Sequence, residues 1–247
     1  MQSVERALAI LEILARAGEA GVTEIAVELG VHKSTAFRLL AALENSGLVE
    51  QIADRGKYRL GMGILRLAGA TTARLDVVQE ARPIARALAA GTGETVNVAV
   101  LADGAALYVD QAAGGSSLQA HNWVGQHIPL HATSNGKVLL SELPETELAA
   151  LLGTLAAHTG ATITTRKALR AELAQVRERG YAVAVDELEI GLTALAAPVR
   201  NAHGDIVASL SVSGPTFRLG DAQVEAMLPQ LRESAAEISH RLGWHPR

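Results

Sequence analysis

In the first quarter of the chain, apolar residues recur at helical spacing in three successive stretches. Val4, Ala7, Leu8, Leu11 and Leu14 mark an amphipathic helix over residues 3–16, punctuated by Gly18 and Gly21. Thr23 then falls where an N-cap belongs, and Ile25, Ala26 and Leu29 share one face of a second helix. Gly30 suits the left-handed turn after it. A third helix opens near Lys33 and Ser34, buries Ala36, Leu39, Leu40 and Leu43, and stops at the breaker cluster Asn45-Ser46-Gly47. The segments LVEQ and KYRLG read as short strands joined by the polar loop IADRG. Three helices followed by a hairpin make a winged helix-turn-helix over residues 1–60. Residues 61–76 turn helical again and end in the polar string TTARLD, which places a linker helix and a domain boundary there.

The pattern beyond residue 77 is different. A long helix over 77–90 is closed by GTGET, and TVNVAVLADGAALYVDQAA reads as two strands around the Asp103-Gly104 turn. Helices are expected over 133–141, 144–152, 165–179 and 221–242. The strands YAVAVDEL, LTALAAPVRN and DIVASLSVSG surround a loop at Ala202-His203-Gly204. Two strand groups interleaved with helices predict an α+β sandwich with a mainly antiparallel sheet over residues 77–247.

Composition narrows the function classes. Of 247 residues 49% are hydrophobic, enough for a packed core, and no cysteine is present, which excludes disulfides and thiolate chemistry. Aromatic residues make up only 3%, so a ligand pocket is expected to be lined by aliphatics and backbone. No apolar run approaches the roughly 18 residues of a membrane span, and a cytoplasmic protein with no membrane partner is expected. A net charge of -4 argues against nucleic acid only if positive charge is evenly spread.

It is not evenly spread. Between Val31 and Leu43 the only charged residues are Lys33 and Arg38. In a helix-turn-helix the second helix enters the major groove, where a carboxylate would repel the duplex. Arg38, Ser34 and Thr35 are therefore candidates for base edges or phosphate. His32 and Lys33 at the turn, and Thr23 at the preceding helix start, are candidates for the backbone. On the wing Arg55, Lys57 and Arg59 form a second positive group, with Tyr58 between them. Double-stranded DNA is the expected partner, bound by a homo-oligomer, either a dimer or a dimer of dimers, on a roughly palindromic operator.

Two other function classes compete with this one. An enzyme would need a catalytic set, but no Gly-x-Ser-x-Gly elbow exists, and Gly61-Met62-Gly63 and Gly91-Thr92-Gly93 are incomplete dinucleotide or P-loop fingerprints. No cofactor is expected. His121, His127 and His131 fall within eleven residues, but Pro129 interrupts them, and no metal is expected. A protein-docking winged helix would need an apolar recognition face, which the polar run His32-Lys33-Ser34-Thr35 does not supply.

Several separated blocks resemble the IclR family of bacterial transcription regulators, in the family's order and over nearly the whole chain. They are QSVERALAILEILA, LGVHKSTAFRLLAALENSGLVEQ, GKYRLG, PLHATSNGKVLLSELP, RERGYAVAVDELEIGLTALAAPV and ASLSVSGP. The resemblance implies a winged helix-turn-helix, a linker helix and a GAF-like α/β effector domain, with a small-molecule effector held between the sheet and the HATSNGK segment. On that basis Thr133, Ser134, Asn135 and Gly136 are candidate effector contacts, whose N–H groups suit a carboxylate. Ser211 and Ser213, alternating on one strand face, join them, as do Asp186 and Ala194. The family usually carries an acidic or Ser residue at the position of Ala184, and Cys, Ser or Ala at that of Ala194. Both help line the pocket in members that recognise keto acids, so alanine at both speaks against a keto-acid effector. The expected protein is a repressor answering to a small polar metabolite.

Overall fold

The computed structural model describes residues 2–52, 56–72, 76–115 and 122–245. The chain forms two compact units, Met1–Arg74 and Leu75–Arg247. Among the described residues no helix is long and apolar enough to cross a membrane.

In the first unit α1 (Gln2–Ala17) turns Ile10, Ile13 and Leu14 inward. β1 (Ala20–Gly21) leads into α2 (Val22–Glu28), and α3 (Lys33–Asn45) follows. Gly21, rather than Thr23, is the N-cap of α2. The Glu24 carboxylate reaches back to accept the Gly21 N–H at 2.7 Å, so Thr23 already lies inside the first turn. β2 (Val49–Ile52) and β3 (Lys57–Leu60) make the wing, and β1 adds a third strand in the order β1-β3-β2. Two residues carry no periodicity, which is why β1 was not visible in the sequence. Ala36, Leu40 and Leu43 of α3 close the core against α1, α2, Val49 and Tyr58.

α4 (Gly63–Thr72) begins immediately after the wing. Gly61 and Gly63 are needed there for close approach, not for a nucleotide. A Cβ on either would stand 2.5 or 2.6 Å from the Gly47 carbonyl oxygen, which accepts the Gly63 N–H at 2.8 Å. The expected boundary near residue 76 adjoins residues 73–75, which lie outside the described residues.

The second unit is a six-stranded sheet, antiparallel at every pairing, with helices on both faces. Its elements run α5 (Asp76–Thr92), β4 (Thr95–Ala102), β5 (Ala105–Ala112), β6 (His127–Ile128), α6 (Ser134–Leu140), α7 (Glu145–Leu151), α8 (Arg166–Arg179), β7 (Ala182–Val185), β8 (Leu192–Arg200), β9 (Ile206–Pro215) and α9 (Asp221–Arg241). The strand order is β6-β5-β4-β9-β8-β7. Asp103 and Gly104 both have positive φ, as a two-residue hairpin turn with right-handed strand twist requires.

Strand alternation divides the sheet. Leu195, Ala197 and Val199 of β8 and Ala208, Leu210 and Val212 of β9 meet α5 and α9. The intervening Ala196, Ser209 and Ser211 are also fully or almost fully buried, and they face α6 on the opposite side, where Asn135 bonds both serines. α6 packs so tightly that a Cβ on Gly136 would lie 2.2 Å from the Leu130 carbonyl oxygen, so glycine is obligatory there.

Candidate DNA-reading surface and effector cavity

The outward face of α3 carries Ser34, Phe37 and Arg38, at helical i, i+3, i+4 spacing and opposite the buried Ala36, Leu40 and Leu43. Lys33 is also exposed and Thr35 is half-buried. No acidic residue occupies the first turn, and neither Lys33 nor Arg38 has a carboxylate partner among the described residues. His32 is the N-cap, its Nδ1 accepting from the Ser34 N–H at 3.4 Å and lying 2.9 Å from the Ser34 hydroxyl. An accepting Nδ1 leaves the proton on Nε2, so the ring's other edge is a donor. Phe37, 56% exposed on the same face, was passed over in the sequence. Its place beside Arg38 rather than in the apolar stripe was the available signal.

The wing needs correction. Tyr58 is 2% exposed and packs in the core, because strand alternation turns it inward between outward Lys57 and Arg59. Burial, with the Glu44 charge adding to it, pushes its phenol up. It is a core residue, not a DNA contact. Lys57 pairs with Glu19 at 3.0 Å and Arg59 with Glu50 at 2.6 Å. Such exposed pairs are weak, so a phosphate can displace either carboxylate. Arg55 lies outside the described residues.

In the second unit a small, partly enclosed cavity of about 30 Å³ opens between the sheet and the segment before α6. Of the residues expected to meet an effector, Thr133, Ala194 and Ser213 line it. The others do different work. Asn135 is fully buried as a strut, its Nδ2 donating to Ser211 Oγ at 2.9 Å and its Oδ1 accepting from Ser209 Oγ at 2.6 Å. That bond also removes Ser211 from the lining. The Gly136 N–H is taken by the Thr133 hydroxyl at 3.1 Å, and Ser134 is buried. Asp186, in the left-handed region at φ 56°, is held by the turn after β7. Its Oδ1 accepts from the Gly191 N–H and the Thr216 hydroxyl, both at 2.8 Å.

The sequence missed much of the wall. Asn97, Tyr108, Trp123, Ile128, Leu188 and Leu192 line the cavity with Ala184 and Glu187. The expectation of an aliphatic pocket is therefore corrected: the Tyr108 and Trp123 rings stand 6.2 Å apart, tilted by 41°. In a chain so poor in aromatics, Tyr108 on β5 and Trp123 between β5 and β6 were the readable clue. Burial raises the Tyr108 phenol, with a hydrogen bond to Asn135 working against it. Glu187, in the turn after β7, is not solvated. It is buried beside Lys137, whose Nζ donates to Glu187 Oε1 at 2.6 Å and to the Val183 carbonyl at 3.1 Å. Burial raises the Glu187 carboxyl above its ordinary value, Lys137 opposing the shift.

The histidines do not converge. His131 bonds the Ala156 carbonyl through Nε2 at 2.9 Å, and His127 lies 3.6 Å from Asp103. His121 lies outside the described residues. Among the described residues no group of three or more His, Cys, Asp or Glu is placed to hold a metal.

A winged helix whose outward helix starts without an acid, and an α/β unit with a small polar-lined cavity, define a ligand-responsive DNA-binding transcription regulator. The profile of the IclR helix-turn-helix domain matches residues 3–53, and that of the bacterial transcriptional regulator IclR C-terminal region matches 69–240. The chain belongs to the IclR family. It is 36% identical to the HTH-type transcriptional regulator XynR of Escherichia coli K12, over 99% of this chain and 98% of that protein. It is 34% identical to the HTH-type transcriptional repressor AllR of the same strain, over 98% and 90%. The crystal structure of an IclR homolog from Microbacterium hydrocarbonoxydans, complexed with 4-hydroxybenzoate, matches with a TM-score of 0.85 at 29% identity, covering 97% of this chain and 98% of that one. Family membership makes this chain a regulator and not an enzyme.

Proposed function

We propose that α3 reads operator bases in the major groove through Arg38, Ser34, Thr35 and Phe37, while His32, Lys33 and the wing residues Lys57 and Arg59 hold phosphates. The observation that carries this is the outward face of α3 over its first turns, where among the described residues Lys33 and Arg38 have no carboxylate partner and the helix's one acid, Glu44, lies in the last turn. Phe37 suits the apolar thymine methyl. The cavity beside the segment before α6 binds a small metabolite, a reading supported by the family member solved in complex with 4-hydroxybenzoate. Binding changes operator affinity to the extent that it favours one conformation over another. The protein acts in the cytoplasm as a repressor, in line with its repressor relative.

The working unit is a dimer, or a dimer of dimers, on a roughly palindromic site. Val4 and Leu8 of α1, and Leu65 and Leu67 of α4, are exposed apolar side chains that a second copy would cover. Fluorescence anisotropy with a duplex selected by the protein from random sequence tests this reading, run beside sedimentation. Affinity should fall steeply with salt as phosphate contacts release counterions, and the complex should contain at least two chains. A salt-insensitive affinity, or tight binding by a monomer, contradicts it.

A further inference from the structure

Two polar atoms are buried without a hydrogen-bond partner among the described residues, Asn97 Oδ1 and Glu187 Oε2. Native interiors hold few such orphans, yet both of these residues line the same cavity. Their other contacts fix what they offer. Asn97 Nδ2 donates to Ser213 Oγ at 3.2 Å, and that hydroxyl donates onward to the Thr95 carbonyl at 3.5 Å. The amide oxygen is therefore the free end. Glu187 Oε1 is occupied by Lys137, leaving Oε2.

Among the described residues the cavity holds no spare positive charge. Lys137 is engaged by Glu187 and stands 3.8 Å from Glu172, which pairs with Arg179 at 2.7 Å. Two cations face two carboxylates, so the cluster is neutral. The Thr133 hydroxyl already donates to the Pro129 carbonyl at 3.0 Å. Apart from the Tyr108 hydroxyl and the Trp123 indole N–H, the polar side chains of the lining offer acceptors, and a ligand has to bring the donors for them. A carboxylate brought against Glu187 would meet an unpaired oxygen instead of a donor.

We infer that the effector is a neutral polyhydroxy compound, an open-chain polyol or a small sugar. Its hydroxyls donate to Asn97 Oδ1 and Glu187 Oε2, and its C–H face lies against Tyr108 and Trp123. This rests on the reading of the cavity as the effector site, and it separates hydroxyl-bearing ligands from simple carboxylates within that reading. A site built on unpaired acceptors rejects ligands that cannot satisfy them.

The test uses the full-length protein in thermal-shift and calorimetric titrations at millimolar ligand. The neutral probes are ribitol, D-ribose and D-arabinose, and the donor-free acids are pyruvate and benzoate. At least one neutral probe should raise the melting temperature, and neither acid should. Glu187→Gln keeps an acceptor for Lys137 but sets an amide NH2 at the orphan position, and should weaken the neutral probe roughly ten- to hundred-fold. Asn97→Ala, which leaves the Lys137 pair untouched, should do the same if Glu187→Gln fails to fold. Ala194→Trp fills the cavity and should abolish binding. If the acids bind, the neutral probes do not, and Ala194→Trp removes the acids, the cavity reading stands and the polyhydroxy class is overturned. Failure of every neutral probe overturns the class too. Neutral-probe binding that survives Ala194→Trp overturns the cavity reading, and this inference with it.

Discussion

Replacing Lys137 with Met removes the cation that sits against Glu187 inside the second unit. Lys137 is 1% exposed, and methionine fills most of its stem volume, so the perturbation is chiefly electrostatic. Glu187 then has no partner on either oxygen, since Oε2 is already orphaned. It can stay charged and unpaired, or take up a proton. Protonating a carboxyl of ordinary value 4.5 at pH 7 costs about 1.4 kcal/mol per pH unit, which caps the penalty at about 3.4 kcal/mol. That agrees with the roughly 3–5 kcal/mol typical of breaking a buried pair from one side. The sign with pH follows from burial, which already raises the folded Glu187 value, and from the loss of Lys137, which raises it further. An acid raised in the folded state stabilises the fold most when protonated. That contribution is present below the unfolded value and is lost as pH rises through the folded one. The deficit of Lys137→Met should therefore be small near pH 4.5 and grow toward its cap at neutrality. Urea unfolding of wild type, Lys137→Met and Lys137→Met/Glu187→Gln across about pH 5 to about pH 8 checks it. The double variant should lose most of the pH dependence. A deficit equal at both ends of that range, or unchanged in the double variant, refutes the reasoning.

Asn135→Leu leaves the Ser209 and Ser211 hydroxyls without their side-chain partner, and should cost about 2–6 kcal/mol at roughly 1–3 kcal/mol per orphaned group. An unchanged melting temperature would show that Asn135 is not the strut between α6 and β9. Tyr58→Ala should destabilise the first unit by about 3–5 kcal/mol, as loss of a buried aromatic does, with Tyr58→Phe retaining full operator affinity. If Tyr58→Phe weakens DNA binding without loss of stability, the phenol is a contact after all.

Positions that follow from spacing were legible in the sequence. The α3 face, its acid-free start and the hairpin turn at Asp103-Gly104 all followed from periodicity and local chemistry. What could not be read was the direction of side chains set by tertiary pairing. Tyr58 sat among basic residues and looked like a groove contact, but alternation on a strand paired to β1 turns it into the core. Asn135 and Ser211 were correctly placed facing each other, and for that reason they satisfy each other instead of a ligand. Asn97 and Glu187 come from strand β4 and the turn after β7, remote in sequence, and only the fold brings their unpaired oxygens into one cavity.

The central claim is that the outward face of α3 reads bases. The most direct measurement is the affinity of wild type and Arg38→Ala for a selected operator duplex and for a scrambled duplex of equal length, at one fixed salt concentration. Arg38→Ala should lose about 1–3 kcal/mol on the operator and much less on the scrambled duplex. Equal losses on both would reduce Arg38 to a phosphate contact, and no loss on either, in a folded variant, would remove α3 from the interface.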